Sequence, residues 1–159
     1  MSEALVVSLR PAQPEDAAAL AELMCQLGYP TTAEQMAKRL VALLAHADYY
    51  TVVAEVEERV AHRVVGMIGV EISLFYELDG AYGHIVTLVV DETLRGKRIG
   101  ASLVAEAERW AQAQGGSAMI VSSSLARKDT HRFYEQRGYH VSGLRFFKTL
   151  DATGRHPEK

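Results

Sequence analysis

The chain has 159 residues, 48% of them hydrophobic, a formal net charge of −3 and one cysteine. That length supports one ordinary core, and the longest apolar runs, 64–70 and 85–90, fall far short of the roughly 18 residues that span a bilayer. The charge argues against a general nucleic-acid binder, which needs a broad basic face, and the lone Cys25 excludes an intrachain disulfide or a cysteine-built zinc site. The N-terminus lacks the basic, apolar and small-residue succession of a secretory leader, so the expectation is a cytoplasmic protein with no membrane insertion.

In chain order, Leu5 to Arg10 reads as a strand ending at Pro11. Pro14, Glu15 and Asp16 then open a helix whose apolar positions Ala17, Leu20, Leu23, Met24 and Leu27 recur at helical spacing until Gly28. Cys25 is expected to be a packed structural thiol on it. Thr31 or Thr32 with Glu34 or Gln35 resembles a capping box for a second helix carrying Met36, Leu40, Leu43 and Leu44. Tyr50 to Val56 and Val64 to Leu74 are β-formers joined by the polar stretch 57–63, hence an antiparallel pair, and His84 to Val90 is apolar enough for a central strand. A helix follows with Ile99, Leu103, Ala107 and Trp110 on one face, stopped by Gly115 and Gly116. A strand at 118–122, a short helix at 129–137 closed by Gly138, and a last strand or strand pair within 139–150 complete the pattern, leaving 151–159 as a frayed tail. This order describes an α/β protein with a sheet of mixed direction.

The run from Val89 to Ala101 carries the chemistry: a β-rich segment, a basic glycine turn, then the helix beginning near Ile99. Glycines at 96 and 100 let the backbone bend and be approached closely, while the helix start points unpaired N–H groups and a positive dipole end at the turn. Such a turn suits phosphate. It matches neither G-x-x-x-x-G-K-[ST] nor G-x-G-x-x-G, which lowers the case for a nucleotide hydrolase or a dinucleotide enzyme. Arg95, Lys97 and Arg98 form one basic cluster, and Arg127, Lys128, His131 and Arg132 form another.

Arg95-Gly96-Lys97-Arg98-Ile99-Gly100 resembles the acetyl-CoA loop of the GNAT family of N-acetyltransferases, [Q/R]-x-x-G-x-[G/A], with Arg98 standing where the family usually has its first glycine. Phe133-Tyr134-Glu135-Gln136-Arg137-Gly138-Tyr139 resembles the family's F-Y-E-x-x-G-[F/Y] segment, at the expected distance. The resemblance covers roughly 5–150 and implies a GNAT-like fold, a mixed and largely antiparallel sheet of six to seven strands flanked by about four helices, in one acetyltransferase domain over 1–150. It implies that acetyl-CoA is bound by Leu88, Val89 and Val90 along the pantetheine, with a backbone N–H near Leu88 or Val89 as oxyanion donor. The amides of Gly96, Lys97, Arg98, Ile99, Gly100 and Ala101 would take the pyrophosphate, with Arg95 beside them and contacts from Arg127 or Lys128. Tyr134 matches the tyrosine that protonates the departing sulfur. The asparagine many relatives carry seven residues earlier is replaced by Arg127.

Relatives often place a carboxylate base where Val86 and Thr87 stand here, so the base must come from elsewhere. His84 is the nearest titratable candidate, with Glu71 and Glu77 as second choices. The acceptor pocket is expected to draw on 28–32 and 75–82, with Tyr29, Glu71, Tyr76, Glu77 and Tyr82 as lining. Val65-Gly66-Met67-Ile68-Gly69 and the segment 128–139 resemble small-amine acetyltransferases of the aminoalkylphosphonate type. The expected activity is therefore N-acetylation of a primary amine of a small molecule, in a homodimer as relatives often form, without metal or nucleic acid. The alternatives are a non-catalytic acyl-CoA sensor and a protein N-terminal or lysine acetyltransferase.

Overall fold

A computed structural model describes residues 5–58, 60–123 and 127–150, so the expected tail at 151–159 lies outside the described residues. The described chain falls into two compact units, one through Ile120 and one from Val121. The first contains β1 (Val7–Pro11), α1 (Ala17–Leu27), α2 (Ala33–Ala45), β2 (Tyr49–Glu58), β3 (Ala61–Leu74), β4 (Ala81–Val90), α3 (Ile99–Ala113) and nearly all of β5 (Gly116–Val121). The five strands form one sheet in the order β1-β2-β3-β4-β5, with β1 to β4 successively antiparallel. Among the described residues, no helix is long and apolar enough to cross a membrane.

The helix ends follow their local chemistry. Pro14 to Asp16 make a 3-10 turn into α1, and Gly28 closes α1 at φ +103°. The second helix is capped by Thr32, whose hydroxyl accepts from Gln35 N at 3.1 Å while the Gln35 carboxamide accepts from Thr32 N at 3.0 Å. β1 runs through Pro11 instead of stopping before it, because at the sheet edge the missing N–H costs no ladder bond.

Alternation along the strands divides the core between the two sheet faces. Val53, Met67 and Val89, mutual cross-strand neighbours, pack with Leu20, Leu23, Met36 and Leu40 of α1 and α2. On the opposite face α3 buries Ile99, Leu103, Val104, Ala107 and Ala111. Gly83 lets α3 approach β4, since a Cβ there would stand 2.7 Å from the Ala111 Cβ. Trp110 stacks on Tyr50 with ring centroids 5.3 Å apart.

Two expectations are corrected. Five strands are described rather than six or seven, because 139–150 form no strand: apolar alternation alone does not make one, and Val141, Leu144, Phe146 and Leu150 stand exposed. Cys25 is not packed but exposed, its Sγ accepting from Thr31 N at 3.4 Å and reaching Thr31 O at 3.5 Å across the bend after α1.

Candidate active site

The β4 strand is irregular next to the candidate base expected from the sequence, His84. Thr87 pairs with Gly69, but the next pair is Ile85 with Val70, so Val86 is an extra residue in a bulge. Beyond the bulge, Glu71 stands opposite both His84 on β4 and Tyr49 on β2, giving a straight cross-strand row of three. Residues opposite one another share a face. His84 Nδ1 lies 2.9 Å from Glu71 Oε1, and Tyr49 stands across from the same carboxylate, its hydroxyl and the carboxylate shifting one another's titration.

This row lies on the face that carries α1 and α2, since Glu71, Gly69 and Met67 alternate along β3 and Met67 belongs to their core. Burial pushes the Glu71 carboxyl up, yet the hydrogen bonds from Tyr49 and His84 outweigh it and hold the group below its ordinary value. Tyr49 is held above the ordinary phenol value, first by its bond to Glu71 and then by burial. A carboxylate only accepts, so the proton of this contact sits on Nδ1 of His84, and the other ring nitrogen, Nε2, is left for a further partner. The side chains of His84 and Glu71 remain 31% and 23% exposed, enough for a small molecule to reach the ring. Thr87 shares their face, and its Oγ1 is buried without a hydrogen-bond partner.

Farther along β4, Asp91 N donates to Val65 O at 2.7 Å. By antiparallel alternation the N–H groups of Leu88 and Val90 therefore point away from β3, toward the β5 side. Arg95 Nε donates to Val90 O at 3.4 Å, tying the strand end to the turn. Gly96 has φ +78° and Arg98 φ +64°, Arg98 being the N-cap of α3 with no side-chain cap. The N–H groups of Ile99, Gly100 and Ala101 thus face out of the helix start without intrahelical acceptors. A Cβ at Gly96 would meet nothing within 4 Å, and Arg95, Lys97 and Arg98 are exposed around this open backbone. Convergent N–H donors, a dipole end and loose cations are what a pyrophosphate needs, so the residues fit one.

Arg98 also explains its own oddity. The left-handed conformation costs a residue with a Cβ about 1–2 kcal/mol, while glycine adds about 0.5–1 kcal/mol of unfolded-chain entropy. Arg98→Gly is expected to stabilise the protein by about 0.5–1 kcal/mol, seen as a rise of about 1–4 °C in thermal unfolding. A fall in melting temperature would mean that the guanidinium contributes more than its backbone costs.

In the second unit, α4 (Lys128–Glu135) has Arg127 at its N-cap and Lys128 as its first residue. Tyr134 is buried between the rings of Phe133 and Tyr139, at centroid distances of 5.1 and 5.3 Å. Burial pushes its phenol up to about 12, against the opposing charges of Arg127 and Arg137. Arg137 lies 3.7 Å over the Phe133 ring and donates to Phe133 O, fixing this helix end.

Of the expected acceptor residues, Glu71 is joined to His84. Tyr82, two residues before His84 on β4, packs against Phe75 with ring centroids 4.8 Å apart. Tyr29 is half-buried in the bend after α1, where its carbonyl accepts from the Thr31 hydroxyl at 2.8 Å. Tyr76 is fully exposed and Glu77 exposed beside it in the 75–80 connection, and neither joins the Tyr49, Glu71 and His84 row. Tyr49 and Thr87 share this face with Glu71 and His84 and were not singled out from the sequence.

A mixed, largely antiparallel sheet with two helices on one face and one on the other, a bulged fourth strand and a glycine turn into a helix start define an acetyltransferase architecture. The model of the acetyltransferase (GNAT) family matches residues 17–139, and the chain belongs to that family. An aminoalkylphosphonate N-acetyltransferase of Salmonella typhimurium is 39% identical over 87 residues, 55% of this chain and 56% of that protein, so the match spans little more than half of that relative. Among solved structures, a GNAT family acetyltransferase of Staphylococcus aureus is 26% identical with a TM-score of 0.76, covering 91% of this chain and 98% of that one. Glucosamine-6-phosphate N-acetyltransferase of Arabidopsis thaliana is 25% identical with a TM-score of 0.76, covering 92% and 99%.

Proposed function

We propose that this chain transfers the acetyl group of acetyl-CoA to the primary amine of a small molecule by direct attack. The observation that carries the reading is the continuous backbone from Leu88 to Ala101, whose outward N–H groups on β4 lead into the open, cationic start of α3. In this reading the N–H groups of 96–101 hold the pyrophosphate and the outer edge of Leu88 to Val90 aligns the pantetheine, with Arg127 and Lys128 as further contacts. Acetyl-CoA supplies the activated thioester.

Leu88 N–H stabilises the oxyanion formed as the amine nitrogen bonds to the carbonyl carbon. His84 Nε2 takes the amine proton. Tyr134 donates to the sulfur as the carbon–sulfur bond breaks, and returns to its phenol form from solvent. Because its phenol lies near 12, it stays protonated across the working range and acts first as a hydrogen-bond donor to the developing thiolate. Holding both reactants along one strand supplies the proximity term.

The names of two relatives support a small acceptor carrying a phosphorus oxyanion: aminoalkylphosphonate in one, glucosamine-6-phosphate in the other. Tyr29 and Tyr82 are proposed to line its pocket, and a homodimer in the cytoplasm is the proposed working form. The test is thiol release from acetyl-CoA with a panel spanning aminoalkylphosphonates, amino-sugar phosphates, polyamines and peptides. Release with a small amine and not with peptides is expected. Tight CoA binding without release for any amine would replace the enzyme with an acyl-CoA sensor.

A further inference from the structure

We propose that Tyr49 and Glu71 are positioning residues that engage Nδ1 of His84 and aim Nε2 at the acceptor amine, a three-residue relay laid straight across β2, β3 and β4. The proposal rests on His84 being the base and adds how the fold makes it one.

The bulge is what builds the relay. Continuing the register of Thr87 and Gly69 without the slip at Val86 would set His84 opposite Ile72, on the α3 face. With the slip, His84 stands opposite Glu71 on the α1 and α2 face, the same face as Thr87. The bond of 2.9 Å at Nδ1 then fixes both the tautomer and the ring plane. Glu71 in turn is held by the Tyr49 hydroxyl, and Tyr49 packs edge-on to the His46 ring at 5.0 Å. An ion pair serving only to staple strands needs neither a second donor on the carboxylate nor a ring with an open far nitrogen.

The titratable groups around the relay are few. His46 and Asp48, in the connection after α2, act on Glu71 and Tyr49 respectively. Tyr82 lies two residues before His84 on β4, β5 carries no titratable residue, and α1 and α2 turn Leu20, Leu23, Met36 and Leu40 inward. Among the described residues, the carboxylate of Glu71 is the one charge bonded to the ring.

The experiment is the pH profile of kcat/KM with acetyl-CoA and the fastest amine of the panel. A base must be neutral to act, so activity falls as pH falls through its titration. Removing the carboxylate weakens the protonated ring and moves that acid limb to lower pH. Glu71→Gln is expected to move it down and to lower kcat tenfold to a hundredfold, with the KM for acetyl-CoA unchanged. Glu71→Asp, which keeps the charge, should restore the limb, and Tyr49→Phe should lower kcat about threefold to tenfold. If His84→Gln keeps full kcat, the base assignment falls and the relay with it. If His84→Gln loses activity while Glu71→Gln and Tyr49→Phe keep both kcat and the acid limb, the base stands and the relay alone is overturned.

Discussion

Gly100→Val is expected to abolish CoA binding without unfolding the protein. Gly100 is the second residue of α3, outside the left-handed region, so valine meets no backbone penalty there and is a slightly better helix former than glycine. What changes is the surface. A branched side chain at this position stands over the N–H groups of the first helical turn and holds a pyrophosphate off them. Losing two hydrogen bonds to a charged group, at about 1.5–3 kcal/mol each, weakens binding by about 3–6 kcal/mol, a factor of hundreds or more. Calorimetric titration with CoA should show no measurable heat while thermal unfolding stays within a few degrees of the parent. Lys97→Ala, which removes only an exposed cation, should cost about fivefold or less, and Arg98→Gly should shift affinity only modestly. Retained tight binding in Gly100→Val would show that the turn is not the pyrophosphate site.

The turn was legible because its chemistry is local. Gly28, the Thr32 and Gln35 pair and the glycines around α3 act within a few residues, and each ends or starts an element where the pattern requires. Arg98 is legible in the same way: the position the family gives to glycine is the one that adopts φ +64° here. The relay of Tyr49, Glu71 and His84 depends instead on strand register, which a single extra residue at Val86 changes, and no periodicity in the β4 sequence announces that slip. The same limit explains 139–150. Alternating apolar residues state that a strand can form, while the neighbour that would pair with it is a property of the fold. Thr87 was visible only as the absence of a carboxylate, and its buried, unpartnered hydroxyl emerges once Gly69 is placed opposite.

Tyr134→Phe separates the chemistry of α4 from its packing. Phenylalanine keeps the ring contacts with Phe133 and Tyr139, so the fold and CoA affinity should hold within about twofold, while kcat falls by about a hundredfold to ten-thousandfold, the range of a lost general acid. The buried phenol gives the variant a second signature. The folded protein ionises it near 12 and the unfolded chain near 10, so its contribution to stability is fully present below pH 10 and is lost as pH climbs through 12. At pH 11 the parent should have lost about 1.4 kcal/mol relative to pH 9 through this group alone, and Tyr134→Phe should lack that part of the slope in urea titrations. Full turnover in the variant would remove Tyr134 from the mechanism. A lost kcat with the alkaline slope unchanged would place the phenol at the reaction but outside the buried setting that keeps it protonated.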